Sequence, residues 1–260
     1  MGSQLIQGKL WGQKAKDWAE IQESTSKPCY DYVLSELLVT VDTSILDIGC
    51  GSGFFCKLAY DQGAKVQGID ASTELMEKAC ERVPDARFVV GEMEELPYED
   101  EAFDVVTAFN SFQYAANTAN AINEAKRVLK EGGYLVAMVW GNKEECEALS
   151  YLKAVGSLLP QPPPGAPGPF ALSENQLLEK NISEAGLNIV SVTDMSVTWD
   201  YPNLEMAMKG LMSAGPVARA VDNSGFETAY RTILDAVKPF ARPEGNVVYN
   251  NKFRIVISQK

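Results

Sequence analysis

The 260-residue chain contains no histidine. Its absence removes the usual general base at neutral pH and the commonest metal ligand together. The five cysteines, Cys29, Cys50, Cys56, Cys80 and Cys146, include no Cys-x-x-Cys pair. That odd, scattered count fits reduced thiols and argues against a disulfide frame or a zinc site, so no metal is expected. No apolar run approaches the roughly 18 residues that a membrane span requires. The amino terminus, Met1-Gly2-Ser3-Gln4-Leu5-Ile6, lacks a secretory hydrophobic core, and Ile6 stands where a myristoylation signal has Ser or Thr. Together these features predict a cytoplasmic protein without a membrane span. Positive charge is also scarce: 23 Lys and Arg face 35 Asp and Glu, a net charge of −12. That balance, with the cluster Glu92, Glu94, Glu95, Glu99, Asp100 and Glu101, repels a phosphate backbone and excludes nucleic acid as a partner. Apart from Glu92, the cluster reads as a solvated loop face.

An apolar content of 46% with 22% charged residues describes a soluble globular chain, and its length suits one elaborated domain. Short apolar runs at 45–48, 66–69, 87–90, 103–109 and 134–140 read as strands. Helical patterns at 54–60, 74–83 and 119–129 separate them, the last ending just before Gly132. Such alternation predicts a mostly parallel sheet covered on both faces. Two later strand signals, 187–198 and 247–258, complete seven strands with an antiparallel edge. Between them, 203–240 reads as a helical lid insertion. Residues 1–43, with Trp11, Trp18 and a helix from about Pro28 to Leu38, form an amino-terminal helical flap. The core then comprises 44–202 and 241–260. Ten residues from Pro160 to Pro169 forbid regular structure and read as a stiff wall. Leu172-Ser173-Glu-Asn-Gln176-Leu177 then predicts a capping box and hydrophobic staple.

The most informative segment follows the first strand: Asp47-Ile-Gly49-Cys50-Gly51-Ser-Gly53. Glycines at alternate positions let backbone N–H groups approach a ligand closely, with a helix start facing the same crevice. A dinucleotide fingerprint wants a small residue at its third fixed position, and Phe54 stands there instead. Asp47, two residues before the first glycine, suits an ammonium better than a pyrophosphate. Asp70 ends the second strand twenty-one residues beyond Gly49, an offset that suits ribose hydroxyls in either kind of site. Its alternative role is to cap the helix that begins near Thr73.

This glycine segment resembles the D-x-G-x-G-x-G signature of class I S-adenosylmethionine-dependent methyltransferases. Phe103-Asp-Val-Val and the run ending Arg127-Val-Leu-Lys-Glu-Gly-Gly133 are similar to the branch related to ubiquinone and menaquinone biosynthesis methyltransferases. The resemblance implies a Rossmann-like doubly wound α/β fold and S-adenosylmethionine as cofactor, with S-adenosylhomocysteine as product. Carried over residue by residue, it places the methionine portion at Asp47, Gly49, Cys50, Gly51 and Gly53, and the ribose at Asp70 and Ala71. The adenine falls to Glu92 and Met93, with Met76 an apolar neighbour. Glu92 stands where the family has Asp. Asn110 and Gln113, after the fourth strand, would touch the methionine end and the substrate, loop capping being the other reading of Asn110.

In-line methyl transfer needs alignment and desolvation more than a protein nucleophile, because the cofactor carries the reactivity. No catalytic residue is evident; Tyr30, Tyr114 and Tyr201 are the weak candidates for a base. Trp11, Trp18, Gln113, Tyr114, Met208 and Met212 are expected to line a pocket for a mid-sized, partly apolar small molecule. They serve equally as glue between lid and sheet. The composition leaves the acceptor atom (O, N or C) and the oligomeric state open. Two other readings remain at this point: a non-catalytic cofactor-binding sensor or subunit, and a nicotinamide-dependent oxidoreductase.

Overall fold

The computed structural model describes residues 2–160 and 168–260. The expected proline-rich wall falls largely outside them. The first part of the chain is helical: α1 (Gln4–Gly12), α2 (Ala15–Asp17) and α3 (Lys27–Glu36), with a π-helical turn at Trp18–Gln22 and a 3-10 turn at Glu23–Ser26. Then come β1 (Ser44–Ile48), α4 (Phe54–Asp61), β2 (Lys65–Asp70), α5 (Thr73–Arg82), β3 (Arg87–Val90), β4 (Phe103–Phe109), α6 (Thr118–Val128) and β5 (Leu129–Trp140). The remainder is α7 (Leu149–Ser157), α8 (Leu177–Glu184), β6 (Asn188–Tyr201), α9 (Leu204–Leu211), α10 (Gly215–Ser224), α11 (Phe226–Val237) and β7 (Val247–Gln259).

Seven strands form one sheet in the order β3-β2-β1-β4-β5-β7-β6. The antiparallel pairings lie at the expected edge. The reversed strand is β7, which pairs antiparallel with both β5 and the outermost β6. Alternation along the strands divides the core. Ile45, Val66, Val105 and Val136 join one buried cluster with residues of α3, α4 and the 203–240 helices, whereas Leu46, Ile48, Val106 and Leu135 join the other with α6 and α8. Burial on both faces explains why these strands read as nearly continuous apolar runs. Helix starts are fixed by local acceptors: Ser72 Oγ accepts from Leu75 N at 3.2 Å on α5, and Asn117 Oδ1 from Asn120 N at 3.2 Å on α6.

Two local expectations need correction. Leu129 starts β5, pairing with Phe103, instead of ending the preceding helix. The capping box at Ser173 does not form. Asn175 and Gln176 turn left-handed, with φ of 53° and 56°, and Ser173 Oγ donates instead to the carbonyls of Gly141 at 3.1 Å and Phe170 at 2.9 Å. Only beyond these turned residues does α8 start.

The sheet switches winding direction between β1 and β4, so the crevice outside their carboxyl ends is where this architecture receives a ligand. Helix α1 packs on α5 and α10 above that edge. A cavity of about 870 Å³, lined in part by Ser44, Lys65, Gln67, Arg87 and Tyr98, opens at the opposite, amino-terminal end of the strands. No strand-end loops converge there, so we do not assign it to the cofactor.

That amino-terminal end is tied by Asp104, which accepts from Ser44 N at 2.8 Å and Ser44 Oγ at 2.5 Å and pairs with Lys130 Nζ at 2.8 Å. Against the opposing effect of burial, the bonds from Lys130 and Ser44 hold the Asp104 carboxyl down at about 2. Its folded value lies below its ordinary one, so its stabilisation is present above about pH 4 and is lost as pH falls toward 2. Asp104→Asn should lower Tm by about 2–4 °C at pH 7, with the difference from wild type closing by pH 2. Calorimetric scans across that range check it; a constant difference would refute the assignment.

Candidate cofactor site

At the end of β1 the chain turns through Gly49, Gly51 and Gly53 at φ of 71°, 56° and 75°. Side chains rarely adopt these angles, and space forbids them as well. A Cβ on Gly51 would lie 2.6 Å from Glu23 Oε1, and one on Gly49 would collide with Ser111. The loop is thus bare by necessity.

Its N–H groups, however, do not point free into the cleft. Gly49 and Cys50 donate to the Ile69 carbonyl at 2.8 and 3.1 Å, and Gly53 donates to the Cys50 carbonyl at 2.9 Å. Gly51 N donates to Asp70 Oδ2 at 3.0 Å, and Ser52 N to Glu23 Oε1 at 2.8 Å. Every N–H from Gly49 to Gly53 is consumed within the chain. This corrects the expectation that loop N–H groups meet the ligand. What the loop has left to offer is carbonyl oxygen.

Two buried carboxylates, Asp47 and Glu23, and the half-buried Asp70 surround it. Asp47 accepts from Thr107 Oγ1 at 2.7 Å and lies 3.9 Å from the Cys56 thiol. Burial, reinforced by the charges of Glu23 and Asp70, pushes its carboxyl up to about 8 against the Thr107 bond. Asp70 accepts from Gly51 N and, at 2.9 Å, from Ser72 N; burial still raises it to about 6. Ser72 caps α5 itself, so Asp70 is left for the cleft. Glu23, from the flap, accepts from Ser52 N, Ser52 Oγ and Arg82 Nη1, and burial raises it too. A pKa raised by burial marks negative charge short of compensation. Among these groups Arg82 is the one cation, and a positively charged ligand would supply the rest.

The strand-end loops add polar atoms without partners. Asn110 sits left-handed at φ 51°, its N–H donating to the Met138 carbonyl at 2.8 Å. Asn110 Oδ1, Ser111 Oγ and Gln113 Oε1 are buried and unpartnered. Buried orphans of this kind, with a strained backbone beside them, are features of ligand sites. The Glu92 carboxylate accepts from Gln4 N at 2.8 Å and from Glu94 N at 3.2 Å. Gly8 of α1 rests against the Ala71 carbonyl, so the flap covers the ends of both β2 and β3.

Other expected residues separate. Cys50 Sγ lies 3.9 Å from Met76 Sδ, both buried in the core. Met93 is partly buried against the α6 side of the core. Trp11 stacks edge-on with Trp18 at 4.7 Å and Tyr114 at 5.4 Å, bringing three expected pocket residues together. Met208 and Met212 are buried in α9 and just after it. Tyr30 is wedged among Phe54, Phe55 and Phe109, and Tyr201 donates to Gln22 Oε1 at 2.7 Å. Burial raises the pKa of Tyr30, Tyr114 and Tyr201 alike, which makes each a poor source of a base. Glu23, Ser52 and Arg82 escaped the sequence reading. Their contacts span 29 and 30 residues or more, and no motif marks them.

Residues 46–137 match the methyltransferase domain family. The chain is 31% identical over 106 residues to demethylmenaquinone methyltransferase of Thermotoga maritima, which covers 40% of this chain and 46% of that protein. It is 29% identical over 201 residues to 27-O-demethylrifamycin SV methyltransferase of Amycolatopsis mediterranei, covering 72% and 71%. The first curated relatives are thus matched over less than half their length. Among solved structures, that of the cyclase SpnF superposes with a TM-score of 0.61 at 22% identity, covering 90% of this chain and 80% of the other. Residues 46–137 are thus similar to a methyltransferase domain, within a chain whose fold matches that of the solved structure.

Proposed function

We propose that this protein transfers a methyl group from S-adenosylmethionine to a small-molecule metabolite. The observation that carries the reading is the glycine loop, with no free N–H from Gly49 to Gly53 and three carboxylates, two of them buried, balanced by one guanidinium. Such a site rejects a pyrophosphate and accepts a cation, so the nicotinamide reading loses its support. S-adenosylmethionine fits, bringing an ammonium and a sulfonium whose methyl group is the one transferred.

The chain's own residues then divide the work. Asp70, although engaged by Gly51 N and Ser72 N, keeps lone pairs for ribose hydroxyls, since each carboxylate oxygen accepts more than one bond. Glu92 can receive an adenine amino group where Gln4 N now donates. Asp47, both of whose oxygens face Thr107 and Cys56, acts through its charge from beneath the loop. Asn110, Ser111 and Gln113 supply unspent polar atoms toward methionine and acceptor. Trp11, Trp18 and Tyr114 exclude water, which strengthens every charge interaction beneath them. Demethylmenaquinone and 27-O-demethylrifamycin SV, from which two relatives take their names, are organic acceptors of different kinds and choose no acceptor atom here.

The packing of Trp11 favours a second reading. Its ring lies against Gly215, where a Cβ would come within 2.7 Å, and closes the crevice between flap and lid. A protein that binds the cofactor without turnover would look the same. Incubation of metabolite pools with methyl-labelled cofactor separates the two: label in a discrete product supports transfer, and tight cofactor binding with no labelled product supports the second reading.

Two further outcomes follow from the charges. A cation bound beside Asp47 lowers its pKa from about 8, so binding at pH 7 should release up to about one proton, and affinity should rise between pH 6 and 8. Calorimetry in buffers of different ionisation enthalpy measures this; identical enthalpies would refute it. Asp47→Asn should weaken S-adenosylmethionine binding about tenfold yet raise the Tm of the cofactor-free protein. A carboxyl raised on folding costs stability as pH rises from about 4 to 8, so the Tm gain should grow over that interval and vanish below it. A variant less stable than wild type at pH 8 would contradict it.

A further inference from the structure

Glu23 is the most deeply buried carboxylate of the flap, 4% exposed, and it does not belong to the glycine motif. Its Oε1 takes the Ser52 N–H at 2.8 Å, and its Oε2 takes the Ser52 hydroxyl and, at 2.6 Å, Arg82 Nη1. The guanidinium is held in place independently: Nη1 also donates to Ser52 Oγ at 2.8 Å, Nη2 to the Ala19 carbonyl at 3.1 Å, and Cζ lies 5.3 Å over the Phe54 ring. Without Glu23, a backbone N–H, a hydroxyl and a guanidinium would converge beside Gly53, the cap of α4. Those three donors make an anion niche, and they stand where a glycine loop and helix start ordinarily receive phosphate.

We propose that Glu23 is a selectivity-determining residue: its carboxylate fills the Ser52–Arg82 anion niche from within the chain and so reserves the glycine loop for a cationic cofactor over a phosphate-bearing one. The niche stands on the contacts alone, whereas the cationic half of the proposal rests on the cofactor reading above. Two effects act together. Glu23 removes the donors a phosphate needs, and its charge adds to Asp47 and Asp70 across the loop. Discrimination by an installed repulsive element costs little affinity for the favoured ligand. Glu23 also explains why Gly51 must be bare, since a Cβ there would come within 2.6 Å of Oε1.

The test uses cofactor-free full-length protein titrated calorimetrically with inorganic pyrophosphate, S-adenosylmethionine and S-adenosylhomocysteine, whose sulfur is neutral. Wild type should ignore pyrophosphate. Glu23→Ala should bind it about tenfold or more tighter than wild type, and adding Arg82→Ala should abolish the gain. Glu23→Gln, nearly isosteric, should lose about tenfold in the preference for S-adenosylmethionine over S-adenosylhomocysteine; this arm tests the charge should the alanine variant not fold. A folded Glu23→Ala that binds pyrophosphate no better than wild type, or a Glu23→Gln that keeps the full preference, would overturn the proposal. A wild type that ignores both nucleosides would overturn the cofactor reading instead, while the pyrophosphate gain would still uphold the niche.

Discussion

The site depends on negative charge held around a glycine loop whose main-chain donors are all engaged within the chain. Asp47, Asp70 and Glu23 reach the loop from β1, β2 and the flap, three parts of the chain with different folding partners. Mutual repulsion in a low-dielectric setting would disperse them if each were not fixed. Thr107 holds the first, Gly51 and Ser72 the second, Ser52 and Arg82 the third. The fold therefore holds an electrostatic imbalance that a cationic ligand, as proposed, would relieve, and this is how a preorganised site differs from an ordinary core.

The surrounding architecture serves that arrangement. Parallel strands bring their carboxyl ends to one edge, and the switch between β1 and β4 opens the edge into a crevice. At the other end, Asp104 ties β1 to β4 and to Lys130 of β5. Paired charges stabilise one end of the same strands, and undercompensated charges occupy the other.

Much of this was legible in the sequence. Strands buried on both faces wrote themselves as apolar runs, and alternate glycines after the first of them marked the loop because side chains rarely adopt its angles and have no room there. Asp70 and Asn110 could be placed because topology puts the residue after each strand at the crevice. Glu23 was illegible for the converse reason: a lone acid before Ser-Thr-Ser has the composition of a solvated turn, and its burial depends on tertiary contact with Ser52 and Arg82. The direction of the loop N–H groups was equally hidden, since their acceptors, Ile69, Asp70 and Glu23, lie on other elements. At Ser173 the local pattern was present, but two left-handed residues overrode it.

Helix α1 and the residues leading into it approach the strand ends closely at positions that lack a side chain. Gly2 lies at Glu92, Gly8 at the carbonyl of Ala71 and Gly12 at Glu74, a line running across the ends of β3 and β2. A rod seated so closely at both extremities does not peel away turn by turn; it swings off whole or stays. A nucleoside bound at those strand ends, as proposed above, would leave only when the rod departs, so the pace of repeated cycles would follow that departure and not the bond-making step.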